Sequence, residues 1–484
     1  MYTVLALTAV VILILGVLVR TLQFTSKQVQ VDPVVDIPVD KEVGSHLSKA
    51  IHFKTVSYQE PEKFDRNEFF GLHTFLEKTF PKVHAALTKE VVNECSLLYT
   101  WKGTNPDINP ILLMAHLDVV PVEPGTENEW SHPAFQGKIQ DGYIWGRGTM
   151  DIKCGVLGIL EAVEALLGEG FTPSRTIYLA FGHDEEVGGH NGASHIAALL
   201  TSRNISLEYV LDEGGSITIG IIPGISAPTA LIGIAEKGYV SLELTVETEG
   251  GHSSMPPPDT GIGILSKAIA SLEKGQMPEG LQGVVKQMFN YVGPEMDFTR
   301  RMAFANTWLF GWLIKRQLRK SPETHAMIRT TTAPTIIEGG AKENILPKKV
   351  KAVINFRILP GDTIKDVVDH VRSITQDHTV KVHTVGQGWE PSPVSDILSP
   401  SFQALEKTIR QIFPNTLVAP YLVSGATDSR HYAVLTKNVF KFVPVVAYSE
   451  DLKRVHGVNE RISLKNYEQC VMFYNQLIRN SSLQ

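Results

Sequence analysis

Ile111-Leu112-Leu113-Met114-Ala115-His116-Leu117-Asp118-Val119-Val120-Pro121 reads as a short buried strand that ends in two metal-type side chains. Its unbroken apolar run is that of a strand inside a sheet rather than at a solvated face. His116 and Asp118 stand two residues apart, so in extended backbone they share a face. An imidazole there can ligate a metal while the carboxylate accepts its other ring N–H, which fixes the tautomer and raises the ring's basicity.

Similar punctuation recurs along the chain. Trp145-Gly146-Arg147-Gly148-Thr149-Met150-Asp151 precedes a helix-like stretch from Val156 to Leu167. Its glycines permit backbone conformations that push Asp151 into a site at a helix start. A carboxylate can hold a cation on each oxygen, and Asp151 is the candidate bridge.

Thr176-Ile177-Tyr178-Leu179-Ala180-Phe181 is a β-branched and aromatic strand running into Gly182-His183-Asp184-Glu185-Glu186. Neighbouring glutamates point in different directions, so Glu186 is expected to bind metal while Glu185 acts as general base. Leu207-Glu208-Tyr209-Val210-Leu211 leads to Asp212-Glu213-Gly214-Gly215, where Asp212 rather than Glu213 is the expected ligand. Lys453-Arg454-Val455-His456-Gly457-Val458-Asn459-Glu460 adds a last imidazole ahead of a terminal helix. A set of imidazoles and carboxylates without thiolate suits zinc in hydrolytic work and also admits manganese or cobalt. Seven such side chains at strand ends read together as a two-zinc hydrolase centre, at the edge where open α/β sheets place their chemistry.

These stretches resemble the di-zinc aminoacylase and carboxypeptidase metallopeptidase family over about residues 45 to 475, and within it the branch of N-fatty-acyl-amino-acid synthase/hydrolases and vacuolar carboxypeptidase S. The resemblance implies that His116, Asp151 and Asp212 hold one zinc, and that Asp151, Glu186 and His456 hold the other. Glu185 is then the base and Asp118 the partner of His116. It also places an oxyanion-stabilising imidazole in the smaller domain, where Gly250-Gly251-His252-Ser253-Ser254 matches and His252 is the candidate. Asn344 and Arg357 match elements that grip substrate, with Arg357 suited to a free carboxylate by its planar fork. Ser424-Gly425-Ala426-Thr427-Asp428-Ser429-Arg430 matches the loop lining the cleft, with Gly425 and Arg430 against ligand.

The activity this implies is reversible hydrolysis and formation of N-fatty-acyl amino acids from fatty acids and amino acids, with two zinc ions per subunit. A carboxypeptidase or dipeptidase on the same metals is the alternative. A membrane-tethered binding protein is the reading from another class, and an intact ligand set with Glu185 argues against it. Homodimerisation through the smaller domain is a family habit.

With 484 residues, 43% of them hydrophobic, the chain can bury a core spanning two or three domains. A net charge of -6 gives no reason to expect nucleic acid. Cys95, Cys154 and Cys470 are too few for a disulfide framework, and Cys154 reads as a buried thiol. Tyr2 to Val19 is apolar and long enough to cross a hydrocarbon core, so residues 1–20 are a secretory signal or an anchor. The Asn204 and Asn480 sequons fit passage through the secretory lumen. Either way, the catalytic part is expected outside the cell or in a lumen.

Residues 21–44 read as a linker. Strands then alternate with helices, the pattern of a mainly parallel α/β sheet, over 45–236 and again over 393–484. Between them, 237–392 reads as an inserted α+β lid with the order strand-helix-strand-strand-helix-strand. Inside that insert, Met302, Phe304, Trp308, Leu309 and Trp312 lie at mostly helical spacing among Arg300, Arg301, Lys315, Arg316, Arg319 and Lys320. Residues 300–320 are therefore expected to touch lipid or to favour long acyl chains, or else to pack on the lid or a second subunit.

Overall fold

In the computed structural model, which describes residues 1–34 and 36–482, Ile111–His116 lies inside a ten-stranded mixed sheet. It pairs in parallel with Ile177–Gly182 on one side and Tyr209–Asp212 on the other, and Val439–Lys441 continues the parallel run. The C-terminal ends of these strands therefore meet at one edge, carrying His116, Gly182 and Asp212. Thr88–Val92 and Ser96–Trp101 form an antiparallel extension on one flank.

Both faces of the central strand are covered, as its continuous apolar run requires. Ile111, Leu113 and Ala115 pack into the larger core with Val156, Ile159, Leu160 and Val163 of helix Lys153–Gly168. Leu112 and Met114 point the opposite way, toward Ile196, Ala197 and Leu200 of helix Ala193–Ser202. Alternation of side chains along the strand thus feeds two separate apolar layers.

A second, antiparallel sheet has the order Thr331–Gly339, Lys349–Ile358, Gly238–Glu247, Val380–Trp389. Its inward side chains, among them Leu242, Leu244, Ile354 and Phe356, pack under Leu265 and Leu272 of helix Gly261–Lys274 and Val367 and Val371 of helix Ile364–Thr375. The element order matches the expected lid. Part of residues 237–392 packs elsewhere. Val284, Met288, Phe289, Val292, Ile314 and Ile328 belong to the larger core, and helix Gly283–Val292 lies on strand Leu417–Val423. Helical periodicity identifies an apolar face but not the core that receives it.

Residues 2–23 form one helix, Tyr2–Gln23. The three cysteines are buried free thiols. Asn204 is exposed, whereas Asn480 is buried and its amide donates to Thr408 Oγ1 and Gln411 Oε1, each at 2.8 Å, so the second sequon is not presented at the surface.

One buried ion pair ties the C-terminal segment to the Gly146–Asp151 turn. Arg147 donates to Glu460 Oε2 at 2.8 Å and to the carbonyls of His456 and Gly457, each at 3.1 Å. Glu460 Oε1 in turn accepts the N–H groups of Met150 at 2.8 Å and Asp151 at 3.2 Å. Removing one partner of a buried pair typically costs about 3–5 kcal/mol, because the other charge is left uncompensated. Glu460→Gln is therefore expected to lower the thermal unfolding midpoint by several degrees in calorimetry, and an unchanged midpoint would contradict this role.

Burial holds the imidazoles of His73 and His431 down to about 4 from an ordinary 6.5. Between those values the unfolded chain binds more protons than the folded one, so stability is full above about pH 6.5 and falls as pH drops toward 4. Thermal midpoints measured across that range should decline, and His73→Gln should flatten the decline.

Candidate metal centre

Asp118 organises the site from beneath. Its backbone carbonyl accepts from His116 Nδ1 at 2.9 Å, and its Oδ1 lies 3.3 Å from the same nitrogen. Oδ1 also accepts the Glu185 N–H at 3.1 Å, while Oδ2 takes the Glu186 N–H at 3.1 Å and the Ser57 hydroxyl at 2.5 Å. One buried carboxylate thereby fixes the imidazole and the backbone of both glutamates.

That leaves His116 Nε2 aimed into the cluster, 3.3 Å from Asp151 Oδ1 and 3.2 Å from Glu213 Oε1. The second Asp151 oxygen, Oδ2, lies 2.9 Å from His456 Nε2, which is also 3.2 Å from Glu186 Oε2. His116, Asp151 and Glu186 make one grouping able to hold a metal ion, and His116, Glu185 and Glu213 make another. Asp151 reaches this position through the turn before it. Gly148 has φ of 87°, and a side chain there would approach Val119 Cγ1 to 2.7 Å. The Asp151–Ile152 peptide is cis.

The expectation for Asp212 is corrected. Its Oδ2 accepts the Ser429 N–H at 2.8 Å, and the carboxylate belongs to neither grouping of metal-type side chains among the described residues. Glu213, the next residue, faces the opposite way and takes that place. Side-chain alternation at a strand end decides between them, and the sequence does not reveal where the strand stops.

The electrostatics follow from burial. Desolvation, then the like charge of Glu213, raise the Glu185 carboxyl well above the ordinary range. Desolvation also pushes Glu213 up to about 8. Burial opposes charge on His116, but the surrounding carboxylates, Glu213 foremost, outweigh it and raise its pKa. At the more exposed rim, hydrogen bonds to Asp151 and Glu186 lift His456 to about 10. Glu186 Oε1 is buried without a hydrogen-bond partner.

The residues expected to bind substrate are spread more widely. Arg357 lies in the lid with its guanidinium 4.9 Å from the Tyr239 ring, Tyr239 stacks on Trp389 at 4.7 Å, and Arg430 covers Trp389 at 4.9 Å. Arg430 also donates to the carbonyl of Gly188, two residues from Glu186. No carboxylate pairs with Arg357 among the described residues. Gly425 is exposed with open space around its Cα.

His252 and Asn344 are not brought to the cluster. Both are exposed; His252 Nδ1 accepts the Ser254 N–H at 3.1 Å, and Asn344 accepts the Ser253 N–H through its carbonyl at 3.2 Å. They sit beside the short pairing of Gly251–His252 with Ile345–Leu346, and among the described residues neither contacts the metal-type side chains.

Sequence reasoning missed Ser57, Arg147, Glu460 and Asp428, and it ranked Glu213 below Asp212. Asp428 is buried with both carboxylate oxygens unpartnered, close against Gly182 and Gly189. The Gly-Arg-Gly and Asn-Glu contexts of Arg147 and Glu460 gave a signal only in hindsight, since two charges 313 positions apart carry no local mark of pairing.

Residues 112–480 match peptidase family M20/M25/M40. The chain is 44% identical to the probable carboxypeptidase S-like 2 of Dictyostelium discoideum, over 97% of this chain and 92% of that protein. It is 39% identical to the N-fatty-acyl-amino acid synthase/hydrolase PM20D1 of Homo sapiens, over 99% and 96%, and 32% identical to carboxypeptidase S of Saccharomyces cerevisiae, over 90% and 83%. Among solved structures, a metallo-carboxypeptidase of this family from Sulfolobus solfataricus aligns with a TM-score of 0.63 at 17% identity, over 92% of this chain and all of that one. Human carnosine dipeptidase 1 aligns at 0.61 and 16%, over 92% and 100%, and both share the fold. The chain belongs to peptidase family M20/M25/M40 and is a metallohydrolase.

Proposed function

We propose that this metallohydrolase is a two-zinc amidohydrolase that cleaves and forms N-fatty-acyl amino acids outside the cell or in a lumen. The observation that carries the metal reading is Asp151, whose two oxygens address two different imidazoles, His116 and His456, each accompanied by a separate glutamate. The donor set fits zinc, and the partnerless Glu186 Oε1 is a buried oxygen suited to a cation. His116, Asp151 and Glu213 would hold one ion, and Asp151, Glu186 and His456 the other. Zinc bound there supplies a Lewis acid and makes water ionisable near neutrality.

The protein's own groups do the rest. Glu185, fixed through its N–H by Asp118, takes a proton from the attacking water and returns it to the leaving amide nitrogen. The same steps in reverse join an acid to an amine. Arg357 grips the free carboxylate of the amino acid, and its position on the Tyr239–Trp389–Arg430 stack, which ends beside Glu186, supports that reading. Neither His252 nor Asn344 reaches the cluster in this structure, and closure of the lid is proposed to bring His252 to the developing oxyanion and Asn344 onto substrate. Glu185→Gln is expected to abolish turnover while elemental analysis finds the metal content unchanged.

An acyl group needs apolar space near Asp151. A cavity of about 530 Å³ has Met150, the neighbour of Asp151, in its wall together with Ile217, Ile219, Phe413, Val446 and Ile462, and with Asp451, Arg461 and Lys465 on its polar side. Thr229–Glu236 runs antiparallel to Val439–Lys441 and parallel to Leu417–Val423, so Pro228 and Thr416 at their starts bring the cavity to the same edge as His116. Its size is that of ordinary ligand pockets.

Val446→Trp is expected to cut hydrolysis of an N-oleoyl amino acid by roughly tenfold or more, since each buried methylene is worth about 0.8 kcal/mol, while sparing the N-acetyl analogue. For the unaltered protein, release of free amino acid from N-oleoyl substrate and from an N-blocked dipeptide should be compared. Turnover of the dipeptide alone would replace this reading with a carboxypeptidase.

A further inference from the structure

The N-terminal helix Tyr2–Gln23 leaves its apolar side chains in the open, and only Val17 and Thr21 are buried. Those two residues mark where it is fastened. Asn306, fully buried between helices Phe298–Ala305 and Thr307–Leu318, donates its amide to the Val17 carbonyl and to Thr21 Oγ1, each at 3.2 Å.

The chain beyond is attached as well. Phe24 packs against Gly293, where a Cβ would approach its ring to 2.7 Å, and the Lys27 ammonium lies 5.4 Å from the Tyr291 ring centre. The Gln28 side chain accepts from Val418 N at 2.7 Å and donates to Val418 O at 2.9 Å, completing the hydrogen bonding of that strand residue as a neighbouring backbone would. Val34 N–H donates to the Gln411 carbonyl at 2.9 Å. The stretch expected to be a linker is bonded to the body along its length.

Beside the fastening point, helix Thr307–Leu318 turns Trp308 and Trp312, one helical turn apart, to solvent with 57% and 64% of their surfaces exposed. Leu313 and Phe298 are exposed nearby, Arg316 and Lys320 lie in the open at its end, and Arg319 beside them is paired with Glu279. A soluble surface has no use for paired exposed tryptophans, whereas a bilayer interface favours them. Twenty-two helical residues span about 33 Å, close to the hydrocarbon thickness of about 30 Å. Val17 and Thr21 would then stand at the end of the span. Asn306 sets the start of the tryptophan helix at that same level.

We propose that helix Tyr2–Gln23 is retained as a bilayer anchor and that the Trp308–Trp312–Leu313 face lies in the headgroup layer of the adjoining leaflet, locked to the anchor by Asn306. The catalytic body is thereby held against the membrane in one orientation, with its basic end toward anionic headgroups. This placement is independent of which amide is hydrolysed.

The full chain, purified from eukaryotic membranes, would be reconstituted into phosphatidylcholine–phosphatidylserine vesicles with bromine-labelled acyl chains, and quenching of tryptophan emission measured. The expected result is quenching that falls by more than half in W308F/W312F, whose exposed positions leave the thermal midpoint unchanged. Asn306→Leu should also reduce quenching while the chain stays in the vesicles. Equal quenching in the intact protein and W308F/W312F would overturn the interfacial face. A mature N-terminus after Arg20, found by terminal sequencing of the cell-derived protein, would overturn the anchor.

Discussion

The catalytic edge depends on the buried Arg147–Glu460 pair. His456 comes from the last quarter of the chain and Asp151 from the first third, and the two side chains meet only because Arg147 holds the His456 carbonyl while Glu460 holds the Asp151 N–H. Each charge is satisfied by the other and by backbone groups, the condition under which a buried ion pair is tolerated. The pair also explains how a loop with left-handed backbone at His456 and Asn459 can present an imidazole reproducibly. Strand pairing of Arg461–Ser463 with Tyr143–Trp145 continues the same seam.

On that frame sits a concentration of negative charge that no apolar core would accept. Burial opposes charge on Asp118, but the His116 imidazole, then the Ser57 hydroxyl and the Glu186 N–H, outweigh it and hold the carboxylate below its ordinary range. Glu185, Glu186 and Glu213 have fewer partners, and burial drives their carboxyls upward, toward holding protons. Dications provide the countercharge that those protons otherwise provide, which links metal affinity to proton release. Asp118 is saturated with hydrogen bonds, whereas Glu185, Glu186 and Glu213 face the cluster with few partners. Asp212 is held by the Ser429 N–H, while Glu213 lies against His116 Nε2.

Much of this was legible in the chain. Ile111–His116 and Ile177–Gly182 were readable because strands buried on both faces are continuously apolar and end abruptly where their polar groups begin. That signal marked His116 and Glu186, while Asp151 was marked by its glycine turn before a helix and His456 by its place ahead of the terminal helix, and the structure brings the four together. The signal failed where one residue of register matters, as at Asp212 and Glu213, because a strand's last residue is set by pairing rather than composition. It failed too for helix Gly283–Val292, whose apolar face fits either core. Arg147 and Glu460 were invisible as a pair because the seam they close is a tertiary event. His252 and Asn344 were recognised only through the family, and their exposed positions carry no local physical signature.

The two sheets are joined by chain crossings that lie side by side. Ser392 N–H donates to the Glu236 carbonyl at 3.2 Å, and the Ser392 hydroxyl accepts the Glu236 N–H at 2.8 Å. Gly238 is packed so closely on Trp389 and Pro391 that a Cβ would meet their backbone within 2.7 Å. Glu236 also accepts from Thr427, in the loop that carries Asp428 and Arg430. The joint is therefore continuous with the rim of the metal centre. Tyr239 and Trp389 stack directly above it, and each carries a guanidinium, Arg357 from the lid and Arg430 from the body. Two cations of like sign on opposite ends of one aromatic pair attract the rings without sharing a carboxylate. Arg357 is thus positioned by packing, with no carboxylate paired to it among the described residues, which is the arrangement that the proposed grip on a substrate carboxylate requires.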